Sequence, residues 1–223
     1  MTNSSFFQEG YGTASTTGGR SWLPAALPAT GGSFQGIDLA GAACQGSRCV
    51  AVGTQGYSQN AILQYQGGSW LPVAAPQPSA FENSLSGVSC ALTACVAVGY
   101  ATDPGGINLA EALVTTDGGA HWTAASVPHP GAATNGETLQ GVSCVGAQCV
   151  AVGQYASVAW IEQNEVLVST NGGYTWTLQA APQPAGAYAD QMLNAVTCSA
   201  VGCVAVGQVS GWSGQQPEVL AAS

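Results

Sequence analysis

The sequence predicts an all-β protein assembled from four copies of one repeat of roughly 50 residues. Three observations carry that reading. The pentapeptide CVAVG recurs at 49–53, 95–99, 149–153 and 203–207. The eight cysteines fall into four C-x4-C pairs, Cys44/Cys49, Cys90/Cys95, Cys144/Cys149 and Cys198/Cys203. No segment keeps a helical period, whereas short β-branched runs bounded by Gly, Pro, Asn and Ser recur throughout.

Each repeat reads as four strands. The first is the apolar run that ends in cysteine: GIDLAGAAC, LSGVSC, LQGVSC and LNAVTC. The second is the CVAVG run. A variable Gly- and Ser-rich loop follows, and then the third strand: NAILQYQ (60–66), EALVTT (111–116), EVLVST (165–170) and PEVLAAS (217–223). In three repeats a turn with Trp70, Trp122 or Trp176 comes next, before a fourth strand and a Pro-rich connector.

Four antiparallel strands per repeat, repeated four times, is the arithmetic of a small β-propeller of about four four-stranded blades. A solenoid needs shorter repeats. In a propeller both faces of a blade are buried, so continuous apolar runs are expected. Within CVAVG, the small Ala and Gly are expected to let neighbouring blades approach, with Val filling between them. The C-x4-C pairs are expected to be disulfides across the first hairpin, around a four-residue loop, each contributing about 2 kcal/mol. Zinc is the rival ligand, but it prefers C-x2-C or paired His spacings, which His121 and His129 do not supply.

Composition excludes several functions. Only 6% of residues are charged, against about 25% in ordinary soluble domains. The only basic residues besides histidine are Arg20 and Arg48, and the net charge is −9. Nucleic acid requires many Lys/Arg, so it is not an expected partner. An anionic membrane surface is a poor partner for the same reason. No run reaches the roughly 20 apolar residues of a membrane-spanning helix, and MTNSSFFQEG is not a signal peptide. Disulfides imply an oxidising compartment, so an extracellular or cell-surface location is expected. The uncharged surface is either a Ser/Thr/Gln/Asn/Gly coat or one buried in an assembly.

The turn before the tryptophan resembles the Asp-box of sialidase-like (BNR) repeats, [ST]-x-D-x-G-x-x-W. Thr115, Asp117, Gly119 and Trp122 match it in full. Ser169, Asn171, Gly173 and Trp176 match with Asn for Asp, and Ser15, Thr17, Gly19 and Trp22 with Thr for Asp. The whole unit also resembles Cys-containing repeats of proteins secreted by actinobacteria. The resemblance implies a propeller in which the box lies between a blade's third and fourth strands: Asp or Asn caps backbone N–H groups, Gly takes positive φ, and Trp packs beneath. In that family the box is structural. A sialidase would need three arginines on its substrate carboxylate, and this sequence has two. The arginine patch of photosystem assembly factors with Asp-box propellers is likewise absent.

The ends are out of phase with the repeats. Residues 1–32 hold a strand pair of third- and fourth-strand type, complementary to a partial blade at 191–223; complete blades occupy 33–81, 82–136 and 137–190. The N-terminal strand is expected to complete the last blade, in cis or in trans from a neighbour, or else the chain is cut from a longer propeller. No catalytic, metal or cofactor constellation stands out. His121 reads as a turn residue and His129 as part of a connector. Glu162, Glu165 and Glu111 read as solvated strand-edge charges. Loops between second and third strands carry Tyr57, Tyr100, Tyr155, Trp160 and Trp212, which are candidate binding aromatics or covers for the blade's own edge. The expected function is non-catalytic: an extracellular structural protein that assembles with itself through strand complementation. The alternative is a lectin-like or protein-binding propeller that contacts a surface protein or glycan. An Asp-box glycosidase is a third.

Overall fold

The structure, a computed structural model, describes residues 12–15, 17, 19–25, 27, 36–56, 58–66, 68–130, 135–183, 189–211 and 214–222. The described residues contain strands and no helix. Strands β1 (Gly12–Ala14) and β2 (Leu23–Ala25) pair as a hairpin. Three four-stranded antiparallel meanders follow. The first is β3 (Ile37–Gln45), β4 (Arg48–Gln55), β5 (Gln59–Gln66) and β6 (Ser69–Val73). The second is β7 (Asn83–Ala91), β8 (Ala94–Thr102), β9 (Asn108–Thr115) and β10 (Thr123–Ala124). The third is β11 (Gly136–Val145), β12 (Gln148–Ala156), β13 (Glu162–Ser169) and β14 (Thr177–Gln179). The last sheet has three strands, β15 (Asp190–Ser199), β16 (Gly202–Gly211) and β17 (Gly214–Ala222).

The sheets stack as propeller blades through their first strands: β3 packs on β7, β7 on β11 and β11 on β15. Each boundary has its own apolar core. Val50, Val52 and Ile62 of the first sheet meet Leu85, Ala97, Leu113 and Trp122 of the second. Val96, Val98 and Val114 of the second meet Leu139, Ala151, Leu167 and Trp176 of the third. Val152 of the third meets Leu193 and Ala205 of the fourth. A blade therefore presents a valine face to the next blade and a leucine face to the preceding one. Polar bonds cross the same seams: the Cys144 N–H donates to Ser89 Oγ (3.0 Å), and the Cys198 N–H to Ser143 Oγ (2.9 Å).

The glycine of CVAVG does a different job from the one expected. Each first strand carries a bulge, between Leu39/Gly41, Leu85/Gly87, Leu139/Gly141 and Leu193/Ala195. The bulge drives a first-strand carbonyl over the CVAVG glycine of the same sheet: a Cβ on Gly53, Gly99, Gly153 or Gly207 would lie 1.9–2.0 Å from that oxygen. The glycines that let blades approach are on the first strand. A Cβ on Gly41 would sit 3.1 Å from the Cα of Gly87, and one on Gly87 3.3 Å from the Cα of Gly141.

All four expected disulfides are present: Cys44–Cys49, Cys90–Cys95, Cys144–Cys149 and Cys198–Cys203. No described cysteine is free. Cys95 and Cys149 are buried at the inner boundaries, whereas Cys49 and Cys203, on the first and last sheets, are half-buried. The hairpin itself needs a correction. The second strand does not begin at Cys49, Cys95, Cys149 or Cys203 but one residue earlier, at Arg48, Ala94, Gln148 or Gly202. Pairing continues past the cysteines to Gln45↔Arg48, Ala91↔Ala94, Val145↔Gln148 and Ser199↔Gly202. The turn inside each disulfide is therefore two residues, not four, because two of the four intervening residues extend the ladder.

Among the described strands closure in cis is not found: β1 and β2 pair only with each other, and the last sheet stays three-stranded.

Candidate functional site

Three features hold chemistry or binding surface: the turns before the tryptophans, buried carboxyls at the blade boundaries, and clefts at the end of the sheets away from the disulfides.

The turn geometry follows the residue types. Asp117 Oδ1 accepts the N–H groups of Ala120 and His121, both at 3.0 Å, and Thr115 Oγ1 accepts that of Gly119 at 3.2 Å. Bonds from the His121 side chain and backbone and from Thr115 hold the Asp117 carboxyl well below its usual range. Asn171 Oδ1 accepts from Thr175 N, and Ser169 Oγ from Gly173 N. Gly119 and Gly173 have φ of 95° and 91°, which glycine alone adopts without strain. Each turn clamps onto the preceding blade. A Cβ on Gly119 would strike Val50, and one on Gly173 would strike Val96.

The N-terminal hairpin builds the same turn. Ser15 Oγ accepts from Gly19 N (2.9 Å), Thr17 Oγ1 from Ser21 N (2.9 Å), and Trp22 Nε1 donates to Gly19 O (3.1 Å). Trp122 and Trp176 are 7% and 5% exposed, but Trp22 is 60% exposed. A bare surface elsewhere matches this uncovered indole. Val96 and Val98 are buried, yet their counterparts on the last sheet, Val204 and Val206, are 40% and 43% exposed. Val219 beside them is exposed too. In the first sheet Trp70 instead stacks at a tilt on Tyr65, with ring centroids 5.4 Å apart.

The strand glutamates are buried, which corrects their reading as solvated charges. Glu111 and Glu165 stand opposite Gly99 and Gly153, and Glu218 opposite Gly207. All three are buried. Asn60 Nδ2 donates to Glu111 Oε1, and Asn164 Nδ2 to Glu218 Oε1. Burial raises Glu111 to about 8 despite its Asn60 bond. At the middle boundary Ala110 replaces the asparagine. There Glu137 Oε2 accepts from Ala110 N (3.2 Å) and bonds His129 Nδ1 (2.6 Å). Burial, and then the charge of Glu137, raises Glu165 to about 8. Pattern alone missed this layer; the repeated glutamate facing the CVAVG glycine was its signal. Glu162 is only half-buried. Among the described residues, no group of three or more His, Cys, Asp or Glu is placed to hold a metal.

The aromatic loops divide. Tyr57 and Trp212 lie outside the described residues. Tyr100 donates to Glu82 Oε1 at 2.7 Å, and burial followed by that bond pushes its phenol to about 12. Tyr155 donates to Gln163 Oε1 at 2.5 Å. Both serve their own sheet. Trp160 is different: it is 73% exposed and has a φ of 61°. It lines a cleft of about 360 Å³ with Asn108, Asn135, Gln154 and Glu162. A second cleft, of about 500 Å³, lies between connectors 78–81 and 124–129.

Antiparallel four-stranded sheets, stacked through their first strands with valine faces on leucine faces, define blades of a β-propeller. Comparison with known proteins bears on the same point. No protein-family model matches the chain, and neither does any curated protein. Solved propeller structures do. A protein of unknown function from Dyadobacter fermentans aligns at TM-score 0.61 and 13% identity, covering 95% of this chain and 68% of its own. A Hadza microbial sialidase aligns at 0.58 and 12%, covering 82% and 43%. YCF48 bound to a D1 peptide aligns at 0.50 and 14%, covering 91% and 58%. The likeness is one of fold, and the chain spans between 43% and 68% of the length of those proteins.

Proposed function

We propose that the chain is a non-catalytic, extracellular structural protein that assembles with itself, the N-terminal hairpin of one copy seating on the last blade of another as the clamp of a following blade does. One observation carries the reading: the chain has a spare clamp and a bare surface of the kind that clamp covers. The Ser15–Trp22 turn has the hydroxyl-to-glycine bond of both the Thr115–Trp122 and Ser169–Trp176 turns, which we read as Asp-boxes, and the indole bond of the first. Those two seat on the valine face of the preceding blade. The last sheet offers the same valine face, and its outermost strand is β17.

Energetics set the scale. Covering an apolar side chain contributes about 1.5–3 kcal/mol, so Trp22 and three valines only match the estimated 4–15 kcal/mol cost of association. A head-to-tail contact of this type propagates into open filaments unless the rotation closes a ring. The low charge of the chain and its four disulfides suit a crowded extracellular assembly. Glu111 and Glu165 serve the blade boundaries in this reading.

Light scattering coupled to size-exclusion chromatography, at rising concentration, tests the proposal. Mass increasing beyond one chain, with rings or filaments by electron microscopy, is the expected result. A monomer at all concentrations is the contrary one.

A further inference from the structure

Trp160 occupies a position built for glycine. The turns after β8 and β12 have the same bonding: Asp103 N donates to Ile107 O and Gly106 N to Asp103 O, as Ser157 N donates to Ile161 O and Trp160 N to Ser157 O. The residue with positive φ is Gly106 in one (81°) and Trp160 in the other (61°). A bulky side chain is strained in this left-handed region, and such strain collects at binding sites. Trp160 is also largely exposed, so burying it in the core does not offset the strain.

The cleft beside Trp160 explains the choice. Gly106 and Asn108 of the second sheet line one side, and Gln154, Trp160 and Glu162 of the third the other. Gln154 Oε1 is buried with no hydrogen-bond partner. The Asn135 amide donates to Ser157 O and ties the floor of the cleft to the Trp160 turn at 2.8 Å. The lining contains no lysine or arginine, and Glu162 is further crowded by the charge of Asp190. An exposed indole beside amide and carboxylate acceptors suits the apolar face and hydroxyl edge of a pyranose ring. The acidic lining disfavours an anionic ligand.

We propose that this cleft binds a neutral sugar, stacked on Trp160 and hydrogen-bonded to Gln154 and Glu162. The site is independent of the assembly contact, since neither Trp22 nor the last sheet's valines line it.

The test is titration of the full chain with cellohexaose, xylohexaose, mannohexaose and chitohexaose, read by calorimetry and tryptophan fluorescence, with sialyllactose as the anionic control. At least one neutral sugar binds saturably and sialyllactose does not. Trp160→Gly weakens that binding by at least about tenfold, yet raises the melting temperature because glycine relieves the strain. Trp160→Phe keeps most of the affinity. No binding by any of the four sugars overturns the proposal. So does Trp160→Gly binding as wild type, or a lower melting temperature for that variant, which would make the indole a structural prop.

Discussion

Asn60 Nδ2 donates to Glu111 Oε1 at 2.6 Å across the boundary between the first two sheets, and Asn164 repeats the bond to Glu218 at 2.7 Å across the last boundary. Asn60 Oδ1 and Glu111 Oε2 are buried without partners, as are Asn164 Oδ1 and Glu218 Oε2. A proton on the glutamate removes a buried charge that the single asparagine bond does not offset. The neutral acid is the form a buried carboxyl favours.

A pH dependence follows, and its sign is fixed. Glu111 and Glu165 are both raised to about 8 in the fold from an ordinary 4.5. Between those values the folded chain keeps protons that the unfolded chain releases. The contribution of these two carboxyls to stability is therefore full below about pH 4.5, falls as pH rises toward 8, and levels off above. Thermal melts across this range should show a falling melting temperature. The Glu111→Gln, Glu165→Gln double variant should flatten the profile, since an amide in place of the Glu111 carboxyl can keep the bond from Asn60 at every pH. A wild-type melting temperature that climbs from pH 5 to 8 would contradict the assignment.

Two glycines of the same repeat should differ in their tolerance of a methyl group. In Gly99→Ala the new Cβ meets the Ser84 carbonyl oxygen at 1.9 Å, within its own sheet. In Gly87→Ala it meets Gln140 O at 3.0 Å across a blade boundary. The second should cost about 1–3 kcal/mol and the first more. Ala195→Gly, at the matching position on the last sheet, should cost no more than about 1 kcal/mol. Urea denaturation of the three variants gives the ranking.

Leu92 is a strained residue with a simple remedy. Its φ is 58° in the disulfide hairpin where the first and third sheets have Gly46 and Gly146, and its side chain is exposed. Leu92→Gly should stabilise by roughly 1 kcal/mol. A calorimetric melt measures it, and a lower melting temperature would show that the leucine contributes a contact that outweighs its strain.

Much of this architecture was legible in the sequence because repetition states it four times. CVAVG, the C-x4-C pairs and the Gly–Trp turns set strand order, cystine pairing and the number of sheets. What repetition could not show was which neighbour each residue faces. Spacing paired Cys44 with Cys49 and Cys198 with Cys203, but it could not say that the ladder runs on beyond Cys49, Cys95, Cys149 and Cys203 into a two-residue turn. The CVAVG glycine looked like a blade spacer, yet its nearest atom is the Asp38, Ser84, Thr138 or Met192 carbonyl of its own sheet. The glutamates looked solvated because strand alternation places polar residues outward, and only the stacking of sheets puts Glu111 opposite Asn60. Trp160 was one of five loop aromatics; its distinction is a backbone angle that composition does not encode. Closure stayed open between cis and trans because complementary strand types do not say which molecule supplies each.

The spare hairpin and the bare valine face are the centre of the account, and mixing two disabled chains tests their pairing most directly. Trp22→Asp spoils the hairpin and leaves the face intact; Val206→Asp spoils the face and leaves the hairpin intact. Each variant alone should be a monomer by light scattering, and the two mixed should form a dimer that grows no further. Single variants that assemble like the native chain, or a mixture that stays monomeric, would contradict it.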